Sequence, residues 1–286
     1  MIFVLLAIAA TTIINILIKV YGLRGANIQV VLASNYVTAG LLGWGWLLGR
    51  GIDGIASTTL LLGLVGGLLW PAAFYLQMWG VREYGLSLAG TVSRLSLSLP
   101  VLFAVLVLGE TPTPVTWLGI AGCFVAFSLL APIQSGPKQA LDRLALGYFG
   151  LLVIIFGLVD LWVNLFNTMG QPDEQILFLT LIFTVSGLLA WGTVMAQRIP
   201  VDRGSFLRGL LLGVPNFGTT WFFLQGLKSP FFANRSTVAY ALFSLVPATL
   251  IFAMGPVIWR ERVTRINWIG LGVGLTSIFM LTWPSG

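Results

Sequence analysis

The chain has 286 residues, 57% of them hydrophobic and only 8% charged, with a mean hydropathy of +0.96; soluble domains are about 45–50% apolar and about 25% charged. A helix needs roughly 20 apolar residues to cross the hydrocarbon core, so about ten spans with short connections use up the length and leave no room for a soluble catalytic domain. The net charge of +6 comes from Lys and Arg scattered between apolar runs, a pattern that orients a membrane protein and gives no reason to expect nucleic acid. With no histidine and a single cysteine, Cys123, an internal disulfide and zinc chemistry are both excluded, and neither metal nor cofactor is expected.

In chain order, apolar runs between charged or Gly/Pro-rich breaks predict spans near residues 3–20, 29–48, 58–80, 86–108 and 114–132. Five more follow near 144–167, 174–196, 206–227, 233–258 and 264–283. The first run lacks the basic leading segment of a secretory signal and is long, so it reads as a retained helix. The longest polar connection, 133–143, carries Pro137, Lys138, Asp142 and Arg143 and separates a first half, 1–132, from a second, 144–286.

The halves repeat one another. GLLGWG at Gly40–Gly45 returns as GLLAWG at Gly187–Gly192, and FYLQ at Phe74–Gln77 as FFLQ at Phe222–Gln225. Pro100 falls on Pro247; after a four-residue insertion, Glu110, Trp117 and Gly119 fall on Glu261, Trp268 and Gly270. An odd number of helices per half turns the second copy over, so the fold expected is all-α and membrane-integral: ten transmembrane helices as two inverted five-helix repeats. In secondary transporters of that build the solute site lies near the midplane where the repeats meet. The connections after odd-numbered spans hold eleven Lys and Arg; the opposite side holds Arg50, Lys228 and Arg235. The positive-inside rule then puts both termini outside the cytoplasm of a plasma membrane, the inner membrane in a bacterium.

A proline-bearing helix that runs into Gly-Glu, followed by a Trp-hydrophobic-Gly helix start, occurs as PVLFAVLVLGETPTPVTWLGIAG in the first half and as WRERVTRINWIGLGVG in the second. In these motifs and in its duplicated layout the chain resembles the EamA-type branch of the drug/metabolite transporter superfamily over essentially its whole length. The resemblance implies a ten-helix metabolite exporter or exchanger with a cavity between its halves, and cytoplasmic termini, opposite to the charge count. Asn35 stands where family members often carry an arginine. Pro100 and Glu110 are ten residues apart, against fourteen for Pro247 and Glu261.

Few polar side chains lie inside the spans, and these are the candidate site. Arg94 shares a helical face with Ser87, Thr91 and Ser98. An arginine at the helix centre costs about 2.5–3.5 kcal/mol to insert, so it either serves solute or gating, joins a structural ion pair, or reaches back to the interface. Asp160 is the only acidic residue deep in a span, with Asn164 and Asn167 on its face; it is a solute or proton-coupling group, or a fixed partner for Arg94. The first helix answers the sixth, Asn15 falling on Asp160, so Asn15 either binds solute or makes an interhelix bond. Gln77 and Gln225 sit beside Trp70, Phe74 and Trp221, a combination that suits an amphipathic solute but also ordinary packing. Asn216 and Tyr240 belong with them. Glu110 and Glu261, at helix ends, are expected to cap helices or fasten loops. The sequon at Asn234 reads as accidental.

The chain has no Walker phosphate loop, no HExxH and no Ser/His pair, so an enzyme is not expected. The expected function is secondary transport of a small polar or amphipathic metabolite, an amino acid or a relative, by alternating access, with proton coupling an open question. A channel or a flippase for lipid-linked substrates has the same architecture and stands as the alternative. Partners are the solute and the bilayer, as a monomer or homodimer.

Overall fold

A computed structural model describes residues 1–51, 54–84, 92–93, 95–130, 143–232, 234–259 and 264–283. Among these residues there are helices, short 3-10 turns and connections, and no strand. The helices are α1 Ile2–Leu23, α2 Ile28–Arg50, α3 Ser57–Tyr84, α4 Ser98–Leu106 and α5 Pro114–Leu130, then α6 Arg143–Met169, α7 Gln175–Ala196, α8 Arg203–Leu227, α9 Ser236–Trp259 and α10 Arg265–Thr282. Six of them, α1, α2, α3, α6, α7 and α9, contain stretches long and apolar enough to cross a membrane, while α4 and α5 are apolar but shorter. The protein is therefore an all-helical membrane protein. Of the fourth predicted span, 86–108, the described residues include a 3-10 turn at Leu95–Leu97 leading into α4. Most of the connection 133–143, Arg94 and Glu261 lie outside the described residues.

The helices pack as two compact units, each drawing on both halves of the sequence. The first comprises Met1–Ala72 and Trp162–Lys228, the second Ala73–Leu161 and Ser229–Gly286. In the first unit α2 is central, packed on α7 and α8, while α1 lies on α8. Side-chain-free positions set these contacts, because van der Waals packing rather than the hydrophobic effect holds helices together in lipid. A Cβ at Gly43 would collide with Thr180, and one at Gly63 would come within 2.6 Å of Leu181. Three residues forward along α2, from Gly40 to Gly43, the contact moves back along α7 from Thr184 to Thr180, so this pair is antiparallel. The α2–α8 pair is parallel: Gly209 meets Val31 and Gly213 meets Asn35. There Asn216 Nδ2 donates to Asn35 Oδ1 at 2.9 Å. Pro71 has no N–H to offer the Gly67 carbonyl one turn back; Ser186 Oγ from α7 donates to that oxygen at 3.1 Å instead.

In the second unit α5 and α10 form the tightest pair, again antiparallel, with Gly119 against Leu281 and Gly122 against Ser277. Gly270 lies against Leu129 and Leu130. The open ends of these helices are closed by side chains. Asn267 completes a capping box with Thr264 at the start of α10, and its Nδ2 donates to the Leu129 carbonyl at the end of α5, 2.7 Å away. After α4, Gly109 takes φ 68°, a left-handed conformation that glycine adopts without steric cost. The chain then turns back so that Glu110 N donates to the Ala104 carbonyl at 3.0 Å. That turn aims the Glu110 carboxylate at the start of α9, where Oε1 accepts Ser236 N at 2.6 Å and Oε2 accepts Thr237 N at 3.1 Å. Glu110 is only 6% exposed, so the glutamate read from sequence as a cap or fastener does both.

Two substitutions test this packing. Glu110→Ala is expected to lower the unfolding midpoint in detergent by the equivalent of about 1–3 kcal/mol, because two buried N–H groups lose their acceptor, while Glu110→Gln retains part of that loss. Gly270→Val brings branched carbon against Leu129, where even a Cβ would lie 2.7 Å away, and should cost about 1–3 kcal/mol by overpacking. Gly45→Ala, with nothing within 4 Å, should leave the midpoint where it is.

Candidate functional site

The polar residues inside the helices divide by whether the protein already uses them. In the second unit, Tyr240 on α9 is buried to 1% exposure and its hydroxyl donates to the Asp160 carbonyl on α6 at 3.0 Å. The structure thus brings these two predicted residues together, through the backbone of Asp160. The Asp160 side chain is half-buried. Gln77 on α3 keeps its Oε1 buried with no hydrogen-bond partner among the described residues. One residue before it, the Leu76 carbonyl accepts Tyr148 Oη at 3.1 Å, and Tyr148 joins Trp79, Tyr84 and Phe149 in an aromatic cluster with centroid separations of 4.7–5.3 Å.

In the first unit Gln225 is committed to a neighbour. Its Nε2 donates to Gln175 Oε1 at 3.2 Å, and the same oxygen accepts Lys228 Nζ at 3.0 Å. Gln175 Nε2 donates to the Trp221 carbonyl at 3.4 Å. Burial lowers the Lys228 pKa, and the nearby Asp173 carboxylate offsets part of that shift. The Trp221 ring packs with Trp46, Phe222 and Phe3. Gln175 was missed from sequence because it opens a helix, where an amide reads as an ordinary surface residue; the only available signal was its position straight after Pro-Asp-Glu. Trp70 is half-buried. Asn15 turns back onto its own helix, Nδ2 donating to the Thr11 carbonyl at 2.8 Å.

Asn164 is different. It lies on α6, one turn beyond Asp160, is 1% exposed, and neither its Oδ1 nor its Nδ2 has a hydrogen-bond partner among the described residues. Asn167 Oδ1, nearly a turn further on, is also buried without a partner among the described residues. An amide stripped of water and left unpaired costs on the order of 1–3 kcal/mol, and such a group calls for a water, an ion or a solute. Arg94 cannot be placed beside these groups, since it lies outside the described residues. No cluster of three or more metal-ligating side chains occurs among the described residues. An apolar groove of about 510 Å³ between α2 and α7, lined by Tyr36, Gly40, Trp44, Phe183, Gly187 and Trp191 among others, contains none of the predicted site residues.

No family model matches the chain. An uncharacterised protein of Haemophilus influenzae is 26% identical over 283 residues, covering 96% of this chain and 95% of its own. An undecaprenyl-diphosphatase of Thermus thermophilus is 30% identical over 135 residues, 43% of this chain and half of that protein. A crystal structure of another protein superposes with a TM-score of 0.80 at 14% identity over 98% of this chain and 95% of the other, a likeness of fold alone.

The Gln175 network gives a direct test. Gln175→Leu should lower the unfolding midpoint in detergent by about 1–3 kcal/mol, because the Gln225 amide loses its acceptor in a buried setting. The double variant Gln175→Leu/Gln225→Leu should recover part of it, since the Gln225 amide is then gone while Lys228 Nζ still lacks the Gln175 oxygen.

Proposed function

We propose that the protein is a secondary transporter of a small polar or amphipathic metabolite, an amino acid or a related compound, working by alternating access as a ten-span, inverted-repeat member of the EamA-type branch of the drug/metabolite transporters. The observation that carries the reading is the Asn164 amide, buried and unpaired among the described residues, one turn from the intramembrane Asp160. On a helix of this apolarity such groups are expensive to keep unless they meet solute or water. In the proposed mechanism Arg94 takes an anionic group of the solute, Asp160 an amine or a proton, and Asn164 orients the remainder; the chain acts as a carrier and not as an enzyme.

Support for the inverted repeat comes from the antiparallel pairs. Gly40 of α2 meets Thr184 of α7, and its repeat counterpart Gly187 meets Tyr36 and Val37, so each copy makes the other's contact. Gly119 against Leu281 is likewise answered by Gly270 against Leu130. Reciprocal contacts between antiparallel, repeat-related helices are what a local two-fold axis across the helices generates. The sequence similarity to an undecaprenyl-diphosphatase over 43% of the chain favours a second reading, movement of a lipid-linked substrate by the same architecture.

A counterflow screen of amino acids and related metabolites in liposomes, with and without a pH gradient, tests the proposal. Asp160→Asn and Asn164→Leu are each expected to cut flux about tenfold or more, the loss of one hydrogen bond to a charged or buried partner, while the purified variants stay monodisperse. Undiminished flux in both would remove these residues from the site. Flux confined to lipid-linked substrates would move the assignment to the second reading.

A further inference from the structure

Where the α4–α5 connection meets the turn before α9, the second unit encloses a cavity of about 150 Å³. Glu110, Thr113 and Thr116 line it from one side, Arg235 and Thr237 from the other. Asn234, exposed and held at φ 55°, stands at its rim. Helix ends converge there: α4 stops at Leu106, α5 starts at Pro114 and α9 at Ser236. Because α9 is long and apolar enough to span a bilayer, its first turn lies at the depth of the polar interface.

The charges of the cavity wall are unevenly served. Both Glu110 oxygens accept backbone N–H groups of α9, so the carboxylate is already occupied by the helix it caps. Thr113 Oγ1 and Thr116 Oγ1 are 3.0 Å apart, and Thr113 Oγ1 also accepts Thr116 N at 3.2 Å. Arg235 lies with its Cζ 5.4 Å from the centre of the Phe231 ring, and its Nη2 is buried with no hydrogen-bond partner among the described residues. A buried, unpaired guanidinium N–H is more costly than a neutral one, and its planar fork matches the oxygens of carboxylate and phosphate groups. The cavity has room for several waters or for one tetrahedral oxyanion.

We propose that this cavity is a phosphodiester site that takes the headgroup of an anionic membrane lipid, with Arg235 as its principal ligand and the threonine hydroxyls as secondary ones. Glu110 in the same wall decides the charge of the guest. A phosphodiester carries a single negative charge, whereas a phosphate monoester carries about 1.5 to 2 at neutral pH, and repulsion from the carboxylate rises with that charge. Inorganic phosphate is therefore disfavoured relative to a lipid diester. The proposal does not depend on which solute is carried.

The test uses the full chain purified in detergent. Phosphatidylglycerol, diacylglycerol and inorganic phosphate are added separately, and retention is followed by native mass spectrometry alongside the unfolding midpoint. Phosphatidylglycerol is expected to remain bound and raise the midpoint, diacylglycerol and inorganic phosphate to do neither. Arg235→Gln should weaken the lipid about tenfold or more, the worth of a charge-assisted hydrogen bond, and Arg235→Lys, which retains charge and fold but loses the fork, should fall between. Equal lipid retention by wild type and both variants would overturn the proposal, as would a cavity that responds to none of the three additions. Inorganic phosphate binding as tightly as the lipid would show a free-oxyanion site and overturn the lipid assignment.

Discussion

In hydrocarbon a backbone N–H or C=O has no water to turn to, so every helix end and every interruption must be closed by the protein itself. That constraint explains where this chain spends its few polar side chains. Glu110 supplies the acceptors for the first turn of α9. Asn267 caps α10 and serves the last turn of α5 with the same amide. Ser186 reaches the carbonyl that Pro71 leaves open on α3. The Glu110, Asn267–Leu129 and Ser186 bonds join segments far apart in sequence, so satisfying the backbone also fixes which helices are neighbours.

Glycine does the complementary work along the helix faces. Without hydrophobic drive between helices in lipid, contact is gained by bringing backbones close, and the closest approaches fall at Gly43, Gly209, Gly213, Gly119 and Gly270. The parallel contacts of α2 with α8 and of α3 with α7 run through glycines in both cases, Gly209 and Gly213 in one, Gly63 and Gly67 in the other. In the first unit α2 thus runs antiparallel to α7 and parallel to α8, and α3 runs parallel to α7.

Against that background the interior polar residues separate into structural and available. Asn35 with Asn216, and Gln175 with Gln225 and Lys228, hold one another; an interhelical hydrogen bond of this kind contributes on the order of 1 kcal/mol. Asn164 holds nothing among the described residues. The distinction follows from geometry rather than residue type, since the same amide chemistry serves both purposes.

Composition alone determined that this is a helical membrane protein, because 57% hydrophobic and 8% charged residues leave no other solvent for the chain. Hydropathy also located α1, α2, α6, α7 and α9 to within a few residues, since a span must be apolar over its whole length whatever it packs against. Asp160 and Asn164 were legible as unusual for the same reason: a polar group in an apolar run is conspicuous. What the run does not carry is the partner. Gln225 and Asn216 looked as available as Asn164 until the fold set Gln175 and Asn35 beside them, and Tyr240 was tied to Asp160 only by the packing of α9 on α6. The interleaving of the two halves into compact units was likewise decided by tertiary structure, because it depends on which small residues face each other across helices, and one helix's sequence records its own small residues but not what meets them.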